Sequence, residues 1–359
     1  MKIGKYEIKH PIIQGGMGVG ISWDQLAGNV SLEGGLGVIS AVGTGYYKNI
    51  SENIHIVTKK DKPKDVLNFY SRDSLFEIFE NARKICGNAP IACNVLYAIN
   101  DYGRVVRDAC EAGANIIITG AGLPTNMPEF TKDFPDVAIV PIVSSARALK
   151  LICKKWQRYN KLPDAIIVEG PLSGGHQGFT YEQCAQEEFQ LENIIGPIIE
   201  EAKNWGNIPI IAAGGIWDKK DIDKFIKMGC TGVQMATRFI GTFECDADAK
   251  FKNVLLNAKA EDIQLMKSPV GLPARGVMTN LQFSIENKTA PKVQCISNCV
   301  APCNRGHEAK IVGYCIADRL GAAYKGDVET GLFFSGSNGY RIEKIISVKE
   351  LMEKLTKGE

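Results

Sequence analysis

Short, continuously apolar runs recur along the chain, and most end in glycine or a polar residue. In order they occupy residues 11–14, 37–41, 90–95, 115–119, 137–143, 164–169, 208–213 and 232–238. Each is rich in valine or isoleucine and shows no polar alternation, which is the pattern of a parallel strand covered on both faces. Between the runs the apolar positions switch to a helical period, over residues 23–32, 75–85, 102–111, 146–156, 194–205 and 219–228, with a last helix over 247–258. The stretch 221–228 shows the period plainly: Ile222, Phe225 and Ile226 share a face, and Gly229 follows as a stop.

Eight strands alternating with about as many helices predict a (β/α)8 barrel, the TIM-barrel form of the α/β class. A doubly wound sheet is the competing arrangement, but it usually has five or six strands and a crossover point that this order lacks. The alternation stops near Lys267, so we expect a barrel over residues 1–266 and a C-terminal extension over 267–359. The extension holds a Gly/Pro-rich segment (268–276), a cysteine cluster and a terminal helix (348–357). Two irregular stretches, 42–74 and 171–192, follow the second and sixth strands. Loops after strands build the active-site face of a barrel, so both are functional candidates.

Composition narrows the class. Lysine and arginine number 42 against 40 acidic residues, a net charge of +2, which points to neither nucleic acid nor an acidic membrane surface. The first residues carry no signal-like apolar core and no run reaches the roughly 20 apolar residues of a membrane span, so a cytoplasmic location is expected. Seven of the 11 cysteines are scattered singly through apolar segments, as buried thiols are. Cys295, Cys299, Cys303 and Cys315 cluster as C-x3-C-x3-C-x11-C, which could hold zinc or an iron–sulfur centre. The spacing is not that of common zinc ribbons, and we expect free thiols and no metal.

Candidate chemistry lies at the strand ends. Glycines stand just after four strands: Gly15 and Gly16, Gly120 and Gly122, Gly174 and Gly175, and Gly214 and Gly215. Bare backbone there lets N–H groups approach a ligand. The pair IIAAGGI (210–216) and GVQMATRF (232–239) is the strongest, because the last two strands of this barrel often hold a phosphate. The amides of Gly214, Gly215, Ala236 and Thr237, with the Thr237 hydroxyl, could hold a phosphate dianion. No GxGxxG follows an early strand, which argues against a dinucleotide site. His176, one of four histidines, stands between Gly175 and Gln177 in a polar loop and is the candidate proton-transfer group.

Taken together, PIIQGGMG (11–18), Asn94, EGPLSGGHQGF (169–179), AAGGI (212–216) and GVQMATRF (232–239) resemble the nitronate monooxygenase (2-nitropropane dioxygenase) family, which includes the similar enoyl-acyl carrier protein reductase II enzymes. The resemblance runs from about residue 8 to 280 and implies an FMN-dependent oxidoreductase acting on a small molecule. It implies that Gly16 and Met17 lie against the isoalloxazine, that Asn94 and Glu169 meet its polar edge, and that Gly174 positions the ribityl chain. Gly215, Gln234, Met235, Ala236 and Thr237 would grip the phosphate, and His176 matches the active-site histidine. Monooxygenases often have glutamine at Glu169 and proline at Gly16, so those positions resemble the reductase branch; Ala236 replaces a common glycine. Oxidative denitrification of alkyl nitronates is the leading activity and NAD(P)H-dependent enoyl reduction the alternative. A non-catalytic flavin-binding barrel is a third reading, which a positioned His176 argues against. The resemblance leaves a homodimer open. Arg275 and Asn280, in GLPARGVMTN, resemble a family segment that returns to the active-site mouth, with a packing or capping role as the alternative.

Overall fold

The computed structural model describes residues 1–47, 70–290, 292–293, 295 and 299–358. Eight parallel strands form the barrel: β1 (Ile12–Gln14), β2 (Gly37–Ser40), β3 (Ile91–Leu96), β4 (Ile116–Gly120), β5 (Ala138–Val143), β6 (Ile166–Glu169), β7 (Ile210–Ala213) and β8 (Gly232–Met235). From β2 to β8 each pairs with its neighbours in sequence, and β8 pairs with β1. The ring closes where Leu36, just before β2, donates to the Ile12 carbonyl at 2.9 Å and accepts from Gln14 N–H at 3.0 Å.

Alternation along the strands explains why they read as unbroken apolar runs. Ile13, Val38, Ile118, Val140, Ile167 and Ile211 fill the barrel interior. Ile12, Ile166, Val168, Ile210 and Val233 face outward into a second core under the surrounding helices. Fully burying such a side chain contributes roughly 1.5–3 kcal/mol, so both faces select the same residue types. A hairpin of Lys2–Ile3 and Tyr6–Glu7 brings Ile3 and Ile8 to the interior cluster at the amino ends of the strands, stopping the bottom of the barrel.

Helices Asp24–Leu32, Arg72–Cys86, Tyr102–Glu111, Ala146–Trp156, Leu191–Lys203, Lys219–Lys227 and Ala249–Asn257 stand where periodicity predicts them. Between β4 and β5 the helix is only Met127–Thr131, which Pro128 opens after Pro124 in the preceding loop. The strand expected over 232–238 stops at Met235, because Thr237–Ile240 turns into a short helix. Most of the expected loop 42–74 lies outside the described residues. Loop 171–192 contains a two-residue strand, Gly175–His176, and a helix, Tyr181–Ala185.

The chain beyond β8 returns over the carboxyl ends of the strands. Strands Ile263–Met266, Ala274–Val277 and Phe333–Phe334 form an antiparallel sheet, and Gly175–His176 pairs with Ala274–Val277. That pairing ties the loop after β6 to the extension. The terminal helix Val348–Lys357 packs Val348, Leu351 and Leu355 into the outer core. Among the described residues no helix is long and apolar enough to cross a membrane.

Candidate functional site

A cavity of about 510 Å³ opens at the carboxyl ends of the strands. That volume falls within the roughly 300–1,000 Å³ of small-molecule and cofactor sites. All twelve residues expected to bind or react lie on its wall, from Gly16 near β1 to Thr237 after β8.

One wall begins at β1. The buried Gln14 amide donates to Gly15 O at 2.5 Å and accepts from Val38 N–H at 3.0 Å, which fixes the turn out of the strand. A Cβ at Gly16 would stand 2.4 Å from Asn94 Cβ, so only glycine fits between β1 and β3. The same contact brings Gly16 against Asn94, with Met17 next along the wall; Met17 N–H is held by Ser22 Oγ at 2.8 Å.

Across the cavity Glu169 ends β6. Its carboxyl is half-buried at the cavity surface, and burial pushes its pKa up to about 7. Gly170 N–H donates to Ala213 O at 2.9 Å, and a Cβ at Gly214 would lie 2.8 Å from Gly170 O. Gly214 and Gly215 both have left-handed φ, +95° and +82°, which lets the chain turn sharply there with bare backbone toward the cavity.

Gln234, Met235, Ala236 and Thr237 carry the wall from β8 into the next turn. Here the extension contributes residues that sequence reasoning missed. Gly336 N–H donates to Thr237 Oγ1 at 2.8 Å, and Asn338 Nδ2 donates to Gly215 O at 2.6 Å. A Cβ at Gly174 would lie 2.6 Å from the Gly336 nitrogen, so that glycine is needed where the β6 loop meets the extension. The signal was present in Ser335–Gly339 (SGSNG), a Gly/Ser/Asn run like those of the barrel loops.

His176 is held from several sides. Gln177, buried behind it, donates to Ser173 O at 2.9 Å and Gly175 O at 3.0 Å, and its N–H reaches Pro273 O at 2.8 Å. These bonds fix the turn that projects the imidazole. The ring meets Phe334 edge-on at 5.4 Å, and Nε2 lies 2.8 Å from Ser268 Oγ. Burial pushes its pKa down to about 4, so the ring is neutral at physiological pH.

Arg275 backs this loop: it pairs with Gly175, and its guanidinium donates to Pro171 O at 2.8 Å. Asn280 stands apart from the cavity, donating to Glu329 at 2.6 Å. Of the clustered cysteines, Cys295 is exposed, Cys299 and Cys303 half-buried and Cys315 buried. Among the described residues no three histidine, cysteine or carboxylate side chains converge as a metal site.

The family described as "Nitronate monooxygenase" matches residues 1–358. A probable nitronate monooxygenase from Staphylococcus saprophyticus is 28% identical over 289 residues, 76% of this chain and 77% of its own length. The nitronate monooxygenase of Pseudomonas aeruginosa is 26% identical over 298 residues, covering 77% and 79%. Among solved structures, FabK from Thermotoga maritima superposes with a TM-score of 0.70 at 25% identity, covering 98% of this chain and 93% of that one.

Proposed function

The chain belongs to the nitronate monooxygenase family and is an oxidoreductase of that family; from that premise we propose that it binds FMN noncovalently and oxidises alkyl nitronates with oxygen, releasing nitrite and a carbonyl product. The observation that carries this reading is that Gly214–Gly215 and Ala236–Thr237, at the ends of the paired strands β7 and β8, line the same cavity as His176. A phosphate held between the last two strands, with no GxGxxG after an early strand, favours FMN over a dinucleotide.

The residues present fit that cofactor. Side chains at Gly174 and Gly214 would meet the backbone of neighbouring loops, so glycine keeps both stretches of the cavity wall closely packed. Gly214, Gly215, Ala236 and Thr237 would hold the phosphate with Gln234 and Met235 beside it, and Gly174 the ribityl chain. Gly16, Met17 and Asn94 would bound the ring, with Glu169 at its polar edge. Bound FMN supplies an electron acceptor for the organic substrate and a route from there to oxygen.

The remaining chemistry belongs to the chain. His176 is the catalytic group of this reading: neutral and held at the cavity wall, it can share a proton with substrate. Phe334 and Leu272 line the cavity with it, the Phe334 ring edge-on to the imidazole. Glu169, with a pKa near neutrality, can donate or accept a hydrogen bond at the ring edge. In this division residues 1–266 carry the cofactor, and 267–359 pack on the barrel and complete its wall. A cytoplasmic enzyme acting on a small molecule, without nucleic-acid partners, is the corresponding setting.

A second reading, NAD(P)H-dependent reduction of an enoyl thioester, is favoured by Glu169 and by Gly16–Met17, which resemble the reductase branch. Mass spectrometry of the heat-released flavin tests what both readings share. FMN is expected; FAD, or no flavin, overturns it.

A further inference from the structure

Burial makes His176 a poor place to keep a second proton. Its pKa is pushed down to about 4, so an imidazolium formed by taking a proton from substrate is costly there. A ring with two nitrogens has another course. It takes a proton on one nitrogen, releases one from the other, and stays neutral. That course needs a partner on the far nitrogen, and the fold supplies one: Nε2 lies 2.8 Å from Ser268 Oγ.

Ser268 stands 92 positions along the chain from His176 and is 5% exposed. It lines a second cavity, of about 500 Å³ and open to the surface, beside Lys267, Tyr181 and Val312, whereas His176 lines the first. Gly178 and Leu272 line both, so the two cavities are neighbours. The contact from Nε2 to Oγ joins one wall to the other.

The hydroxyl is placed to pass a proton either way. Val270 N–H donates to its oxygen at 3.3 Å. It also shares a hydrogen bond with Tyr314, whose own proton goes to Lys267 O at 2.8 Å. Ser268 can therefore receive a proton from Nε2 while giving its own to the Tyr314 oxygen or to water, and can run the exchange in reverse. No tautomer of the ring is singled out: one exists before the transfer and the other after it.

We propose that Ser268 is the exit and entry for the protons that His176 handles, joining the imidazole through one hydrogen bond to water in the second cavity. This rests on the reading of His176 as the group that meets substrate; Ser268 touches no substrate and acts through the ring. In the outward direction the α C–H bond of a neutral nitroalkane breaks, its electron pair stays on the substrate as the nitronate, and an N–H bond forms at the ring nitrogen facing it. The Nε2 proton then passes to Ser268 Oγ as the serine proton leaves to water. In the inward direction the same bonds return a proton to the ring for a substrate that must gain one.

The test compares two substrates that differ by that proton, 2-nitropropane and propyl-2-nitronate, by anaerobic stopped flow on the flavin-loaded enzyme. Ser268→Thr keeps the hydroxyl, while Ser268→Val has nearly the same shape, lacks it, and leaves no room for a water in its place. In Ser268→Val, flavin reduction by the nitroalkane is expected to slow by about 10²-fold, the low end for a lost acid–base step, with reduction by the nitronate little changed. Ser268→Thr should react with both at wild-type rates. The ratio of the two rates is the readout, because damage to the fold or to flavin binding lowers both together. A wild-type ratio in Ser268→Val overturns the proposal. So does a wild-type enzyme that reacts with the nitronate but with no nitroalkane, since no carbon-bound proton then passes through His176. A flavin that neither substrate reduces overturns instead the proposed function on which the relay rests.

Discussion

Replacing Gly215 with valine puts the proposed phosphate cradle to the test. At φ +82° a β-branched residue is strained, by about 1–3 kcal/mol. Its Cβ would stand 3.1 Å from Leu172 Cβ and Cδ1, a contact that a flexible side chain can partly relieve. Overpacking of this kind adds roughly 1–3 kcal/mol, so the barrel should fold with a lowered melting temperature. The isopropyl group would also intrude on the cradle. Loss of two hydrogen bonds to a charged phosphate, at roughly 1.5–3 kcal/mol each, weakens binding by about 10²–10⁴-fold. The assay is the ratio of flavin to protein absorbance after gel filtration, beside a thermal melt. Gly206→Val is the control: φ there is +89° and nothing lies within 4 Å of the added Cβ, so it carries the backbone strain alone and should keep its flavin. Gly215→Val purified with a full complement of flavin would refute the placement of the phosphate.

Three further outcomes follow from the same geometry. His176→Ala should retain flavin and lose about 10²–10⁴-fold in turnover on a nitronate by stopped flow; an unchanged rate would make the residue structural. The Asp246 carboxylate accepts N–H from Trp23, Gln25 and Leu26 at 2.8, 3.1 and 3.2 Å at the start of helix Asp24–Leu32. Asp246→Ala should therefore destabilise the protein by about 2–4 kcal/mol in urea, and an unmoved midpoint would contradict it. Glu169 has its folded pKa raised from 4.5 to about 7, so between those values the folded state binds the extra proton and stability falls as pH rises. Flavin-free Glu169→Gln lacks this loss and should gain about 2–3 kcal/mol on the wild type between pH 5 and 7.5; parallel stability curves would exclude it.

The barrel was legible because strands buried on both faces need apolar side chains at every position, and helices buried on one face need them at every third or fourth. The wall of the candidate site was legible where glycine is compulsory, as at Gly16 against Asn94 and at Gly214 against the Gly170 carbonyl. Contacts made across long stretches of chain were not. The bond from Gly336 to Thr237 spans 99 positions and that from Asn338 to Gly215 spans 123, and no local period records either. Ser268 shows the same limit, being one serine beside a proline until the Ala274–Val277 strand folds back on Gly175–His176. The end of β8 at Met235 went unread because the run to Arg238 is apolar enough to continue as a strand, while the backbone at Ala236 turns to helix.

The most direct measurement is an anaerobic titration of the purified protein with propyl-2-nitronate, following the flavin absorbance, with NADH and NADPH in parallel. A cofactor-loaded nitronate oxidiser bleaches with the nitronate, recovers its absorbance when oxygen is admitted, and releases nitrite. Absorbance unmoved by nitronate but bleached by NADH or NADPH would contradict that activity and assign the chain to the reductase chemistry.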